Sequence, residues 1–187
     1  MGRKLSVKPD ATFVFYRSLY ADDGAFLLTS RADVDVALPR MFSVLKAFGL
    51  SMHVGRNGLK AKTEAVFYPS AAKAKNPDPL DTRDIEVDGG TVSFTDKFRY
   101  LGSIIADTLT DDAECDARIS AASKAFGALK TQLFGVRHIR TRAKKNAYEA
   151  LALSILFYGC ECWILSAAMR DKVVKFHRDD FRQVFQP

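Results

Sequence analysis

The chain contains, from Thr12 to Thr29, the stretch TFVFYRSLYADDGAFLLT. Its first part, Thr12–Leu19, is rich in aromatic and β-branched side chains, and Gly24–Thr29 is a second apolar run, so both segments are typical of β-strands. The tetrapeptide Tyr20-Ala21-Asp22-Asp23 separates them. Asp is favoured in tight turns because its carboxylate accepts hydrogen bonds from nearby backbone N–H groups. The stretch therefore predicts a hairpin with two carboxylates at its tip.

These two adjacent carboxylates, Asp22 and Asp23, have few structural uses. They repel each other, and burying one of them without a partner is costly. A divalent cation relieves this repulsion, because hard oxygen ligands suit Mg²⁺. Two such ions can hold the attacking and leaving oxygens of a phosphoryl transfer. The alternative is an acidic turn exposed to water, and the tetrapeptide alone leaves both interpretations open.

A helix and further strands are predicted after the hairpin. From Asp33 to Phe48 the apolar residues recur at spacings of four and three, which predicts a helix that ends at Gly49. Pro39 predicts that this helix begins near Leu38 or kinks there. Strand-like runs follow, with a Gly pair typical of a hairpin turn between two of them: Thr63–Tyr68, Ile85–Val87, Thr91–Phe94 and Phe98–Ile105. Residues 70–84, rich in Ala, Lys, Pro and Asp, are predicted to be a linker.

The C-terminal part has a helical pattern. Apolar positions predict three helices, over Cys115–Leu133, Ala143–Tyr158 and Met169–Val184, with Ser166 as the N-cap of the third. The predicted fold class is therefore α+β. Antiparallel hairpin strands with one packed helix come first, and a three-helix bundle follows.

Composition and charge limit the function classes. The 187 residues are 48% apolar, with a net charge of +6, and no apolar run is long enough to cross a bilayer. We expect an intracellular protein, cytoplasmic or nuclear, without a membrane partner. Three Cys, an odd number, argue against a disulfide framework and predict buried thiols in a reducing compartment.

One basic stretch stands out, from Arg137 to Lys145. It contains five cations and no acidic residue: Arg137, Arg140, Arg142, Lys144 and Lys145. Such a patch suits a polyanion. The alternative is a solvated turn followed by a first helical turn.

The order of these motifs resembles reverse transcriptases of LINE-like, non-LTR retrotransposons. Tyr-Ala-Asp-Asp in a strand–turn–strand is similar to the metal-binding motif of that family, which also has a palm helix, a lysine element, a primer-gripping hairpin and a thumb signature. The corresponding stretches here are Phe48-Gly49-Leu50, Lys62-Thr63-Glu64, Phe98-Arg99-Tyr100-Leu101-Gly102-Ser103 and Ser154-Ile155-Leu156-Phe157-Tyr158-Gly159-Cys160-Glu161-Cys162-Trp163. Extra residues, Gly55–Leu59, separate Leu50 from the lysine element.

The resemblance implies roles residue by residue. Asp22 would be a direct Mg²⁺ ligand with Asp23 beside it, and Lys62 would protonate the leaving pyrophosphate. Contacts to nucleic acid, an RNA template paired with a DNA primer, would come from two further groups. They are the hairpin residues Tyr20, Tyr100, Leu101 and Gly102, and the basic stretch from Arg137 to Lys145.

The resemblance also implies a domain plan. Residues 1–69 would be part of a palm with the Tyr-Ala-Asp-Asp hairpin, 70–84 a linker, 85–106 a primer-grip-like hairpin and 107–187 a helical thumb. The family's third palm carboxylate and its fingers have no counterpart in these residues. We therefore expect a polymerase fragment that is inactive alone.

Three other hypotheses stay open. The chain could be a non-catalytic binder of RNA or DNA. It could complete a separate fingers–palm half, or associate with itself, through the edge of its sheet. It could also be a remnant without a selected function.

Overall fold

The structure is a computed structural model that describes residues 3–8, 11–15, 17–56, 59, 61–76 and 78–185. It has an α+β fold with small antiparallel hairpins and helices. The chain divides into two compact units, residues 1–102 and 103–187, and each is described by itself. Among the helices of the described residues, none is long and apolar enough to cross a membrane.

The first unit begins with two separate hairpins. Strand β1 (Arg3–Lys8) pairs antiparallel with β2 (Ala11–Phe15), and β3 (Arg17–Tyr20) pairs antiparallel with β4 (Asp23–Phe26). The prediction of a single strand over Thr12–Leu19 was therefore wrong, because this stretch contributes to two strands, β2 and β3, that belong to different hairpins. Tyr16, between them, lies outside the described residues. The strand predicted to reach Thr29 ends at Phe26.

Helix α1 (Arg31–Ala47) follows β4. Its N-cap is Ser30, whose hydroxyl accepts a hydrogen bond from the backbone N–H of Asp33 at 3.1 Å. The helix begins before the predicted position and continues through Pro39, although Pro has no N–H to donate. Gly49 follows the helix with a φ of +74°, a conformation typical of glycine at a helix end.

The core of the first unit lies between α1 and a third hairpin. Strands β5 (Ile85–Val87) and β6 (Gly90–Val92) pair antiparallel across the turn Asp88-Gly89, where both residues have positive φ. A Cβ at Gly90 would lie only 2.5 Å from a Val54 methyl carbon, so no larger residue fits there. The buried core residues come from the helix, this hairpin and the segment before it: Leu38, Val54, Ile85, Val87 and Val92.

Two predictions between α1 and β5 were wrong. Thr63–Tyr68 is not a strand; it contributes one isolated parallel bridge, from Ala65 to Phe94. The predicted linker over residues 70–84 is folded, with helix α2 (Ala71–Lys75) and a 3₁₀ turn (Pro79–Thr82). The buried carboxylate of Asp81 accepts hydrogen bonds from the Lys73 ammonium, each 2.6 Å long, which explains why this polar segment is ordered.

The predicted strand Phe98–Ile105 is instead a hairpin. Its strands are β7 (Lys97–Tyr100) and β8 (Ser103–Ala106), and the division between the two units falls in its turn. The turn residues Leu101 and Gly102 have φ of +48° and +85°. Positive φ at both central positions is the geometry of a type I′ hairpin turn.

The second unit is helical. It comprises α3 (Asp112–Leu129), a π-helical segment (Lys130–Phe134), α4 (Thr141–Ala147), a second π-helical segment (Tyr148–Leu153), α5 (Ser154–Leu156), a 3₁₀ turn (Cys160–Cys162) and α6 (Ala167–Phe185). Three helical stretches were predicted here, and Ser166 is confirmed as a cap because its hydroxyl accepts a hydrogen bond from the backbone N–H of Met169 at 3.1 Å. The core contains Phe126, Phe134, Tyr148, Ala152 and Val184.

The three cysteines do not share one environment. Cys115 is fully buried, as predicted, but Cys160 and Cys162 are exposed. The prediction of buried thiols was wrong for this pair because the 3₁₀ turn after the second helical stretch keeps them at the surface.

Candidate functional site

The carboxylate hairpin has a two-residue turn. Tyr20 pairs with Asp23 in the ladder, so Ala21 and Asp22 form the turn itself. Asp22 is at the tip as predicted, whereas Asp23 is the first residue of β4. Ala21 has a φ of +52°, in the left-handed region that costs a residue with a Cβ about 1 kcal/mol. Both carboxylates are exposed to solvent.

The register assigns the side chains of this hairpin to two faces. Residues paired across a ladder share a face, and alternate residues along a strand share it too. Ser18, Tyr20, Asp23 and Ala25 therefore lie on one face. Leu19, Gly24 and Phe26 lie on the other, and the Leu19 and Phe26 side chains would each be 3.2 Å from a Cβ built on Gly24.

Tyr100 joins the first of these faces. Its phenol donates a hydrogen bond of 2.9 Å to the Ser18 hydroxyl, although the two residues are 82 positions apart. The primer-grip-like segment is thus fixed against β3, on the face that carries Tyr20 and Asp23. Of the residues singled out from the sequence, Tyr100 thus contacts the strand that carries Tyr20, Tyr20 pairs with Asp23, and Asp22 lies in the turn between them.

The turn after Tyr100 holds Leu101 and Gly102. Leu101 is 38% exposed and has a positive φ, a conformation that is uncommon for a residue other than glycine, asparagine or aspartate. Strained backbone of this kind often marks positions with a function. Gly102 adopts its φ of +85° without such a cost.

Lys62 is held through its backbone rather than its side chain. Its N–H donates a hydrogen bond of 3.1 Å to the Nδ1 atom of His53, and the N–H of Thr63 donates one of 3.1 Å to the carbonyl of His53. His53 thereby fixes the loop that presents Lys62, and the Lys62 side chain is exposed. The lysine element does not open a strand.

The donor set of the hairpin fits a divalent metal in part. Asp22 and Asp23 supply the carboxylate oxygens that Mg²⁺ prefers. Within the described part of the chain, no group of three or more His, Cys, Asp or Glu residues is placed to hold a metal ion. The two aspartates therefore offer an incomplete ligand set.

The basic stretch belongs to the helical unit and joins the first π-helical segment to α4. Arg137, Arg140 and Arg142 are exposed. Lys145 is also exposed and lies 3.6 Å from a carboxylate oxygen of Glu149. These four cations stand at the surface, where a polyanion can reach them.

Lys144 differs from its neighbours. It is 4% exposed, and its ammonium donates a hydrogen bond of 2.6 Å to the carbonyl of Phe134. Helix ends leave carbonyl groups without an intrahelical partner, and Lys144 satisfies one of them at the end of the π-helical segment. The structure therefore removes Lys144 from the surface that the sequence predicted for the basic stretch.

Ser18 and His53 were missed by sequence reasoning as members of this site. Ser18 carried no signal, because it contacts Tyr100 only in the folded chain. His53 lies near the lysine element in sequence, but nothing in the spacing indicated that its ring would accept a hydrogen bond from Lys62.

Comparison with known proteins gives no further guide to the site, because no protein-family model, curated protein or solved structure matches the chain.

Proposed function

We propose that these residues are the C-terminal part of the palm, and the thumb, of a LINE-like RNA-directed DNA polymerase. In the intact polymerase, two metal ions would stabilise the attacking and leaving oxygens during nucleotidyl transfer. Asp22 and Asp23 would bind Mg²⁺, and Tyr20, Tyr100, Leu101 and Gly102 would hold the RNA template–DNA primer duplex. The 187 residues alone do not polymerise DNA.

One observation carries this proposal. The phenol of Tyr100 is bonded to Ser18, so the primer-grip-like segment lies against the hairpin that presents the carboxylates. A polymerase needs the primer end beside its metal ligands, because orientation of the reacting groups supplies much of the rate enhancement. Two motifs that the resemblance assigns to one active site are thus neighbours in this unit.

Lys62 would act as the cation of the site. An ammonium near a leaving phosphate neutralises developing negative charge and can donate a proton. The hydrogen bonds from the backbone to His53 hold the lysine loop. These bonds involve the backbone of the loop, and the Lys62 side chain is exposed to solvent.

Metal binding tests the assignment of the aspartates. Mn²⁺, added in place of Mg²⁺, should broaden the NMR signals of residues 20–24 in the purified chain. Asp22→Asn and Asp23→Asn should each reduce the broadening strongly. Asp96→Asn, which removes an exposed carboxylate elsewhere in the same unit, should leave it unchanged. Equal broadening in all variants would contradict the metal site.

Primer extension tests activity. With an RNA template, a DNA primer and Mg²⁺, we expect no extension by the chain alone. Mixing it with the fingers and N-terminal palm of a LINE-like polymerase should restore extension, and Asp22→Asn should abolish the restored activity. Extension by the chain alone that Asp22→Ala abolishes would contradict the proposed inactivity.

A second candidate is a non-catalytic subunit that binds RNA or DNA, and the charge pattern of the helical unit favours it. Residues 117–148 contain eight cations and no acidic residue. Arg118 is paired with Glu114 and Lys144 is buried. The other six are exposed: Lys124, Lys130, Arg137, Arg140, Arg142 and Lys145. Contacts of exposed cations with phosphates give affinity without sequence readout, and that affinity falls steeply with salt.

Charge reversal tests whether the basic stretch binds nucleic acid or is only a turn exposed to water. We expect the triple change Arg137→Glu, Arg140→Glu and Arg142→Glu to abolish binding to an RNA–DNA hybrid. The matched control reverses three exposed cations of α6, Arg170, Lys175 and Arg182. It alters net charge equally and should retain most of the affinity. Equal loss in both variants would show that only net charge matters.

The exposed β3–β4 hairpin favours one version of this second candidate, a subunit that completes a separate fingers–palm half. Among the described residues, β3 and β4 pair only with each other, and Leu19 and Tyr20 are 63% and 67% exposed. An isolated two-stranded hairpin is marginally stable in water. A separate fingers–palm half, or a second copy, could cover it. Sedimentation should then show association that Leu19→Lys weakens, whereas a monomer at high concentration would exclude self-association.

A further inference from the structure

A buried carboxylate that the proposed function does not use lies in the helical unit. Asp180, on α6, is only 9% exposed. Its Oδ2 atom is buried and has no hydrogen-bond partner in the described part of the chain. Burial of an ionised carboxylate without a partner is costly, and such a group tends to become neutral instead.

The charge of Asp180 acts on Tyr148, a member of the aromatic core of this unit. Tyr148, from the second π-helical segment, is almost fully buried, and its hydroxyl is 3.0 Å from the Nδ1 atom of His177 on α6. The Tyr148 and His177 rings are stacked, with centroids 5.8 Å apart. The Tyr148 ring also meets Phe126 and Phe134 edge to face. The buried ammonium of Lys144 also reaches this cluster, where it donates a hydrogen bond to the carbonyl of Phe134.

Two charged groups act on the carboxyl of Asp180. Asp179 is its neighbour on α6, and Lys130 begins the first π-helical segment. Burial and then the charge of Asp179 raise the pKa of Asp180 to about 6, while Lys130 acts in the opposite direction. No salt bridge to Asp180 occurs among the described residues, so Lys130 acts only at longer range.

We propose that Asp180 is a proton-dependent switch of the helical unit, in which the neutral carboxyl lets α6 pack against Tyr148 and the ionised carboxylate loosens that packing. The elements concerned are α6 and the two π-helical segments. The switch is independent of the proposed polymerase origin. It needs only the burial of Asp180, whose Oδ2 atom has no hydrogen-bond partner among the described residues.

The direction of the effect follows from proton linkage. In the unfolded chain Asp180 ionises around its ordinary value of 3.8, but in the folded chain it keeps its proton until about pH 6. The folded state therefore binds more protons over this interval, and its stability falls as pH rises. The contribution is fully present below the unfolded value and is lost as pH passes about 6.

Hydrogen exchange of the full chain tests the switch. After correction for the intrinsic rate, protection of amides in α6 and in residues 148–153 should fall about tenfold between pH 5 and pH 7.5, the change that linkage gives for these two pKa values. Asp180→Asn should remove the fall. Asp171→Asn, which removes an exposed carboxylate from the same helix, should retain it.

The role of His177 must be separated from that of Asp180, because the His177 imidazole contacts Tyr148 directly. The fall in protection should persist in His177→Gln. A fall that disappears in His177→Gln and persists in Asp180→Asn would overturn the proposal. NMR titration of the Asp180 carboxyl carbon in the unaltered chain does not depend on any variant folding. A midpoint near pH 6 would support the proposal, and a midpoint near pH 4 would overturn it.

Discussion

The hydroxyl of Tyr100 lies 2.9 Å from that of Ser18 and donates a hydrogen bond to it across 82 residues of sequence. Tyr100 is the last residue of β7 and Ser18 lies in β3, so the bond ties β7 to the strand that precedes the carboxylates. Because alternate strand residues share a face, the Tyr100 ring lies on the side of the hairpin that presents Tyr20. This contact orders the part of the unit that we assign to the active site.

Removal of this hydrogen bond should loosen the hairpin measurably. We expect Tyr100→Phe to lower the free energy of unfolding by about 1 kcal/mol, the net value of a typical hydrogen bond. Ser18→Ala should have a similar effect, and the double variant should cost little more than either single change, because both remove one interaction. Urea unfolding measures all three. Additive losses would show that the two hydroxyls do not interact in solution.

Sequence patterns predicted the elements whose structure depends on local chemistry. The turn at Asp88-Gly89 and the cap at Ser166 were readable because a few adjacent residues determine the backbone there. The strand predicted over Thr63–Tyr68 failed for the opposite reason. A β-like run becomes a strand only if a partner strand lies beside it, and here only Ala65 finds one, at Phe94.

The candidate site shows the same limit. The sequence singled out Asp22, Asp23 and Tyr100 as candidates, but not the contact that joins β7 to β3, because Ser18 carries no pattern of its own. It also grouped Lys144 with the surface cations. Only the folded helical unit shows that the carbonyl of Phe134 needs a donor and that Lys144 supplies it.

Lys144 should therefore matter for stability, and its neighbour Lys145 should not. Lys144→Met leaves the carbonyl of Phe134 buried without its donor, which should cost about 1–3 kcal/mol of unfolding free energy. Lys145→Met removes an exposed ion pair with Glu149 and should change stability by less than about 1 kcal/mol. Thermal unfolding of the two variants gives the comparison. Equal destabilisation would contradict the buried position of Lys144.

The three thiols should react at two different rates. Cys160 and Cys162 are exposed and should be modified quickly by a thiol reagent at neutral pH. Cys115 is fully buried, and burial, followed by the charge of Asp116, raises the pKa of its thiol, so little thiolate is available. We expect two fast equivalents in the native chain and a third after denaturation. In a variant with Cys160→Ser and Cys162→Ser, the fast reaction should be absent.

Alkaline pH should destabilise the helical unit through Tyr148. Burial, followed by the charge of Asp180, raises the pKa of its phenol to about 12, whereas the unfolded chain ionises near 10. Between these values the unfolded state loses protons that the folded state retains, so stability falls as pH rises from about 10 to about 12.

Tyr148→Phe should reduce this decrease in stability at alkaline pH. At neutral pH the same change should cost about 1 kcal/mol, because the hydroxyl no longer meets the Nδ1 atom of His177. Tyr20→Phe is the matched control. Tyr20 is 67% exposed, so removal of its hydroxyl should leave the decrease in stability at alkaline pH unchanged. Unfolding by urea at pH 8, 10 and 11 separates the two variants. A loss of stability that stays the same in Tyr148→Phe would show that another group causes the alkaline transition.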